Sequence, residues 1–216
     1  DLIIMGLNSI KKKNGKDLNF NTMAVFNNNL VLITHFKKVY LFFFVEFVPF
    51  ENILGLIGLK TITNEYNSFS RGITRKNFNL TNNKIDVKLL PLICYEIIYS
   101  GDLIVDKNFN YIINISEDGW FGDSIGPIQH FTHSIFRSIE TGKYIIRSAN
   151  NGVSAIINPI GIVEKQVELG STGYIDFSES RSIKPTLFLQ HGNKIFLMLI
   201  LLYIFIILSF NKLTNE

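Results

Sequence analysis

Cys94 is the single cysteine of the 216-residue chain. It closes the apolar run LLPLIC immediately before Tyr95 and Glu96. A thiol where a strand ends can project from the sheet edge, with the next backbone N–H aimed at a developing oxyanion. It becomes a nucleophile when a nearby cation lowers its pKa and a base takes its proton. The competing reading is a small buried hydrophobe, a common fate of free cysteines. Lys37 and Lys38 could supply the cation, although by themselves they read as a solvated pair of charges. His130 and His133 in QHFTH share a helix face, but no carboxylate at matching spacing turns them into a metal site. No GxSxG elbow occurs, which removes the usual serine-hydrolase reading. One cysteine also excludes an intrachain disulfide and any multi-cysteine metal cluster. Neither a metal nor a cofactor is expected.

Composition points toward lipid rather than nucleic acid. Apolar residues make up 47% of the chain and charged residues only 18%, with a mean hydropathy of +0.22. That is too apolar for an ordinary soluble domain. The net charge of +3 comes from scattered lysines, not from the concentrated basic footprint that nucleic acid requires. The chain opens at Asp1 inside the strand-like run DLIIMG, with no signal peptide visible, and reads as part of a longer protein.

The elements that must position Cys94 are of mixed type. NTMAVFN and LVLITHF, separated by Asn27-Asn28-Asn29, predict a hairpin. KIDVKLLPLIC, over 84–94, and NFNYIINIS, over 108–116, predict strands, the second leading into the loop EDGWFGDSIGP. IQHFTHSIFRSIETGKYIIR, over 128–147, has Ile128, Phe131, Ile135 and Ile139 at helical spacing and predicts an amphipathic helix with that apolar stripe as its packing face. VSAIINPIGIVEKQV reads as two strands around Asn-Pro-Ile-Gly. Residues 39–59 are aromatic-rich but interrupted by Glu46, Pro49 and Glu51, which suits a membrane interface, a substrate-facing arm or a core strand with its loop. From Ile195 to Phe210 the chain carries no charge, and Lys194 and Lys212 bracket this run. It predicts a C-terminal transmembrane helix. The pattern as a whole is α+β.

Three blocks, KLLPLICYEIIYSGDL, NISEDGWFGDSIGPIQHF and RSIETGKYIIRSANNGVSAIINPIG, resemble successive segments of the bacterial apolipoprotein N-acyltransferases. These are membrane-bound members of the nitrilase, or carbon–nitrogen hydrolase, superfamily. The resemblance implies a four-layer αββα sandwich over residues 1–190, N-terminally truncated, followed by a transmembrane helix over 194–211. It implies a Glu-Lys-Cys triad with Cys94 as nucleophile and Lys38, eight residues before the glutamate of EFVP, stabilising thiolate and oxyanion. Glu46, Tyr95, Glu96, Trp120, Phe121 and Gly122 would support the site. The family's base glutamate would lie upstream of DLIIMG, and no glutamate precedes Glu46. Phe43 and Val45 replace a proline and a glycine of the family pattern, and Gln190 an arginine.

The implied reaction moves an acyl chain from a phospholipid, through a thioester on Cys94, to the N-terminal amine of a diacylglyceryl-cysteine lipoprotein. The implied location is the bacterial inner membrane with the catalytic domain facing the periplasm. The isolated chain is expected to be inactive, with a separately encoded N-terminal half as a possible partner. Two other readings stand beside this one. One is an amidase or nitrilase acting on a small substrate, and the other is a non-catalytic membrane-anchored remnant.

Overall fold

The computed structural model describes residues 1–42, 45–47, 68–81, 86–101, 106–179 and 181–214, and within 211–214 only the backbone. Most of the aromatic-rich stretch 39–59, including Phe43 and Pro49, lies outside them. The first sheet is an antiparallel meander of β1 (Leu2–Lys13), β2 (Lys16–Asn27) and β3 (Leu32–Lys37). Asn14 and Gly15, both at positive φ, form the two-residue turn between β1 and β2, the Asn-Gly chemistry that matches strand twist. The expected hairpin is β2–β3. Its turn is organised by the Asn27 side chain, whose Oδ1 accepts from the backbone N–H groups of Asn29 and Val31.

The second sheet has six strands in sequential order: β4 (Phe78–Thr81), β5 (Asp86–Ile93), β6 (Tyr111–Glu117), β7 (Tyr144–Asn150), β8 (Ser154–Ile157) and β9 (Val163–Val167). Strands β5, β6 and β7 are parallel, and the other pairings are antiparallel. The central parallel strands are buried on both faces and accordingly read as near-continuous apolar runs. Pro91 sits inside β5 beyond Leu89, the last β5 residue paired with β4, so its missing N–H falls where that ladder has ended.

Helix α1 (Gly126–Thr141) connects β6 to β7, with Pro127 in its first turn and Gly142 closing it at φ 64°. The short α2 (Leu187–His191) is capped by Thr186, whose side chain accepts from the Leu189 N–H. Helix α3 (Lys194–Thr214) ends the described chain.

Two apolar cores separate the layers. Met23, Val25 and Phe36 of the first sheet pack on Phe78, Leu80, Leu89, Ile93 and Ile113 of the second. On its other face, Leu90, Leu92, Ile112, Ile145 and Ile157 meet Phe131 of α1 and Leu189 of α2. Among the described residues the expected four layers are therefore three: sheet, sheet, helices.

Two expectations need correction. The apolar stripe of α1 is only partly inward: Phe131 is buried and Ile135 packs against the core, but Ile128 is 44% and Ile139 40% exposed. His130, Ser134, Arg137, Ser138 and Thr141 face inward instead, beside Phe131, because that face closes over polar groups of the sheet. The second correction concerns the C-terminus. Among the described residues, no helix is long and apolar enough to cross a membrane. The uncharged part of α3, residues 195–210, spans about 24 Å at 1.5 Å per residue, short of the roughly 30 Å of a hydrocarbon core. It is nevertheless apolar on every side, with Phe196, Leu201, Phe205 and Phe210 all exposed.

Candidate active site

Strand β5 delivers Cys94 into a 3-10 turn, Cys94–Ile98. Cys94 adopts φ +50°, one of four non-glycine residues at positive φ among those described. Left-handed backbone at a non-glycine residue costs on the order of 1–2 kcal/mol, so the turn holds the thiol in a conformation the chain would not choose freely. Cys94 is partly buried, against the core that also contains Ile93 and Val39.

The Glu96 carboxylate joins two distant segments. It is wholly buried. It accepts from the N–H groups of Val39 at 2.9 Å and Tyr40 at 3.1 Å, from Ile93 N–H at 2.9 Å and from the Arg75 guanidinium at 2.6 Å. Four donors compensate the charge for its lost hydration. One carboxylate thus ties the residues flanking Cys94 to those following Lys38. Arg75 also donates to the Pro91 carbonyl at 3.5 Å.

Lys38 is 1% exposed and its Nζ lies 2.6 Å from Glu46 Oε2. Glu46 accepts in turn from the Asn21 side-chain amide at 2.9 Å and from Phe42 N–H at 2.8 Å. A buried ammonium needs such a partner, since isolated burial would drive it neutral. Lys37 points elsewhere, over the Phe20 ring, and burial followed by Lys11 lowers its pKa. Tyr95 stacks on Phe42, with ring centroids 4.4 Å apart. The segment carrying Lys38 and Glu46 is thus tied, through Glu96 and through the Phe42–Tyr95 contact, to the Cys94 turn. Phe121 approaches it through His130, 5.4 Å away. Trp120 is 62% exposed and stands apart, and Gly122 ends the Gly119–Phe121 turn at φ +57°.

A second buried network, not anticipated from the sequence, lies behind the nucleophile. Arg147 of β7 bonds Asp118 Oδ2 at 2.6 Å, the Val153 carbonyl at 3.2 Å and Asn114 Oδ1. Asn114 donates to the Leu92 carbonyl at 3.1 Å. Asp118 Oδ1 contacts His130 Nδ1 at 2.9 Å and accepts from Ser116 at 2.6 Å. Burial alone would raise the Asp118 pKa, but His130, Arg147 and Ser116 outweigh it and hold the carboxyl below its ordinary value. Burial lowers Arg147, while Asp118 and then the nearby Cys94 oppose that shift. Gly152 closes against this carboxylate, where any Cβ would fall on Asp118. A signal for the network was present: a lone arginine inside the apolar strand YIIRSAN must find a partner if it is buried. His133, considered with His130 for a metal, lies near Phe136 on the same helix.

Residues 2–182 match the carbon–nitrogen hydrolase family. The chain belongs to that family. Among curated carbon–nitrogen hydrolase relatives, it is 34% identical over 174 residues to an apolipoprotein N-acyltransferase of Rhodopseudomonas palustris. That match covers 80% of this chain and 32% of the relative. It is 35% identical to the apolipoprotein N-acyltransferase of Rickettsia prowazekii, covering 95% of this chain and 41% of that protein. The chain thus spans well under half the length of these relatives. Among solved structures of the fold, Nit3 of Saccharomyces cerevisiae, a nitrilase-superfamily member, superposes with a TM-score of 0.55. It is 17% identical, over 76% of this chain and 55% of that one. An amidase of Nesterenkonia sp. AN1, described with covalent addition at its active-site cysteine, gives 0.54 at 12% identity, over 79% and 58%. The carbon–nitrogen hydrolase chain described here shares that nitrilase-like fold.

Proposed function

We propose that the chain is the nucleophile-bearing part of an apolipoprotein N-acyltransferase. The observation that carries this reading is the Glu96 carboxylate, which fixes the Lys38 segment against a cysteine held at positive φ. Cys94 attacks the sn-1 ester carbonyl of a phospholipid, a lysophospholipid leaves, and an acyl thioester remains. Lys38 stabilises first the thiolate and then the tetrahedral oxyanion, an effect strengthened by its exclusion from water. The N-terminal amine of a diacylglyceryl-cysteine lipoprotein then takes the acyl chain, completing a ping-pong transfer.

The base that first deprotonates Cys94 is a glutamate supplied from outside residues 1–216. Glu46 and Glu96 are both committed to buried partners and serve as supports. The domain over residues 1–190 carries the chemistry at the periplasmic side of the inner membrane, and α3 sits immersed in lipid beside it. The chain by itself is inactive on this reading.

The test uses phospholipid vesicles with a labelled acyl chain. The full polypeptide carrying this chain should accumulate a hydroxylamine-sensitive label on Cys94 when no acceptor is present, and Cys94→Ser should abolish that label. A label that is absent from wild type while small amides are hydrolysed would replace this reading with the amidase one.

A further inference from the structure

The β1–β2 hairpin carries Lys11, Lys12, Lys13 and Lys16 around its Asn14-Gly15 turn, and all four are exposed. Among the described residues none of them is held in an ion pair. Strand β2 is paired with β3 only from Thr22 to Phe26. Beyond that, the carbonyls of Asn21 and Asn19 accept from the N–H groups of Lys38 and Ser70, at 2.9 and 2.6 Å. Past Asn19, the pairs Lys11–Leu18, Lys12–Asp17 and Lys13–Lys16 have no third strand beside them among the described residues. This two-stranded ribbon reaches about 10 Å further. Strand β3 runs toward it and ends at Lys37, so Lys38 stands at its base, and Glu96 ties the Cys94 turn to the same segment. The ribbon therefore projects past the end of the sheet that carries the candidate active site.

Side chains alternate between the faces of a strand, and the register puts Lys11, Lys13, Lys16 and Lys37 on one face. Asp17, the only acidic residue of the three strands, lies on the other face, opposite Lys12. The lysine face thus has a single sign. Lys13 and Lys16 are direct cross-strand neighbours, a placement that like charges disfavour. Lys11, second to burial, lowers the pKa of Lys37. An anionic surface would relieve this repulsion. Ile10, 66% exposed, stands beside the lysines and can follow them into an interface. Charge complementarity selects an anionic partner, and α3, apolar on every side, selects lipid as that partner.

We propose that the β1–β2 ribbon binds the anionic headgroups of a phospholipid bilayer and turns the Cys94 end of the sheets toward it. The orienting role rests on the acyl-transfer reading, in which the substrate is drawn from that bilayer; the headgroup contact does not. Each lysine near an anionic membrane surface strengthens partitioning about fivefold. The contact is reversible, and it orients a chain that α3 retains in lipid.

Lysine acetylation, read residue by residue by mass spectrometry, tests the contact on the full polypeptide in lipid nanodiscs. One set of discs holds phosphatidylcholine alone, and the other also holds phosphatidylglycerol. Lys88, near the start of β5 and so toward the opposite end of that strand from Cys94, is the internal reference. Phosphatidylglycerol should slow acetylation of Lys11, Lys12, Lys13 and Lys16 several-fold relative to Lys88. Salt well above the physiological level should erase the difference. Wild type should also form the Cys94 thioester faster with phosphatidylglycerol present. The combined variant Lys11→Gln, Lys12→Gln, Lys13→Gln, Lys16→Gln should form it at one rate in both lipids, with the wild-type melting temperature or a higher one. Equal acetylation in the two lipids would overturn the proposal; protection in both would assign the ribbon to a neighbouring polypeptide. Protection by phosphatidylglycerol without any wild-type thioester leaves the headgroup contact standing and removes the acyl-transfer reading. Protection with a thioester rate indifferent to phosphatidylglycerol overturns the orienting role alone.

Discussion

At the residue scale, ionisable side chains are buried here in compensated groups, and their compensation sets how stability depends on pH. Burial first, then Arg137 and His130, lowers the His133 pKa. The folded state therefore resists a proton that the unfolded chain accepts below about 6.5, and stability declines as pH falls through that value. The carboxyl of Asp118, held below its ordinary range, acts in a lower window. Its contribution is fully present above the unfolded value of about 3.9 and is lost as pH falls through the folded one. Melting temperature measured from pH 8 to 3 should thus show two acid-side declines, and His133→Gln should remove the upper one while leaving the lower. Cys94, Lys38, Glu46 and Glu96 could be singled out in the sequence because each lies in a local block that resembles the family's motifs. Arg75, Asn114, Asp118 and Arg147 were hidden because their partners lie tens of residues away and are brought together only by sheet register.

At the scale of elements, Glu96 is the clasp between the nucleophile turn and the segment after β3. Its isosteric loss tests that directly. Glu96→Gln keeps the shape but leaves the Arg75 guanidinium, its side chain only 5% exposed, without its counter-charge. Unpairing a buried ion in this way costs about 3–5 kcal/mol, to be measured by denaturant unfolding. Most strands were legible because alternation and β-branched runs specify them locally, but β4 was not expected and the start of β7, Tyr144–Arg147, was read as the end of the helix. Helix α1 was legible as a helix but not in its rotation. The apolar stripe Ile128–Ile139 suggested one inward face, and the buried charges of Asp118, just after β6, and Arg147 of β7 demanded the polar one. Ile135, packed against the edge of the core, and the more exposed Ile139 instead approach Gly161 in the β8–β9 turn.

For the whole molecule, the dominant unspent term is the apolar surface of α3. Each large side chain left in water forgoes about 1.5–3 kcal/mol of burial, and Phe196, Leu197, Met198, Leu201, Leu202, Phe205 and Leu208 are all more than half exposed. On the proposed reading lipid covers them. The chain should float with phospholipid vesicles in a density gradient, and deletion of residues 194–216 should leave it in the dense fraction. Hydropathy showed this segment plainly from the sequence. Its reach did not follow from hydropathy, because crossing depends on length against bilayer thickness, and among the described residues no helix is long and apolar enough to cross.

The left-handed backbone of Cys94 implies an exchange between robustness and reactivity at a single position. Glycine is the residue that conformation favours, and a β-branched side chain there would be strained further. Cys94→Gly should therefore unfold at the same temperature as wild type or higher in a thermal melt, while forming no thioester. If the substitution instead lowers the melting temperature by several degrees, the partial packing of the thiol, and not its backbone, dominates the energetics of that site.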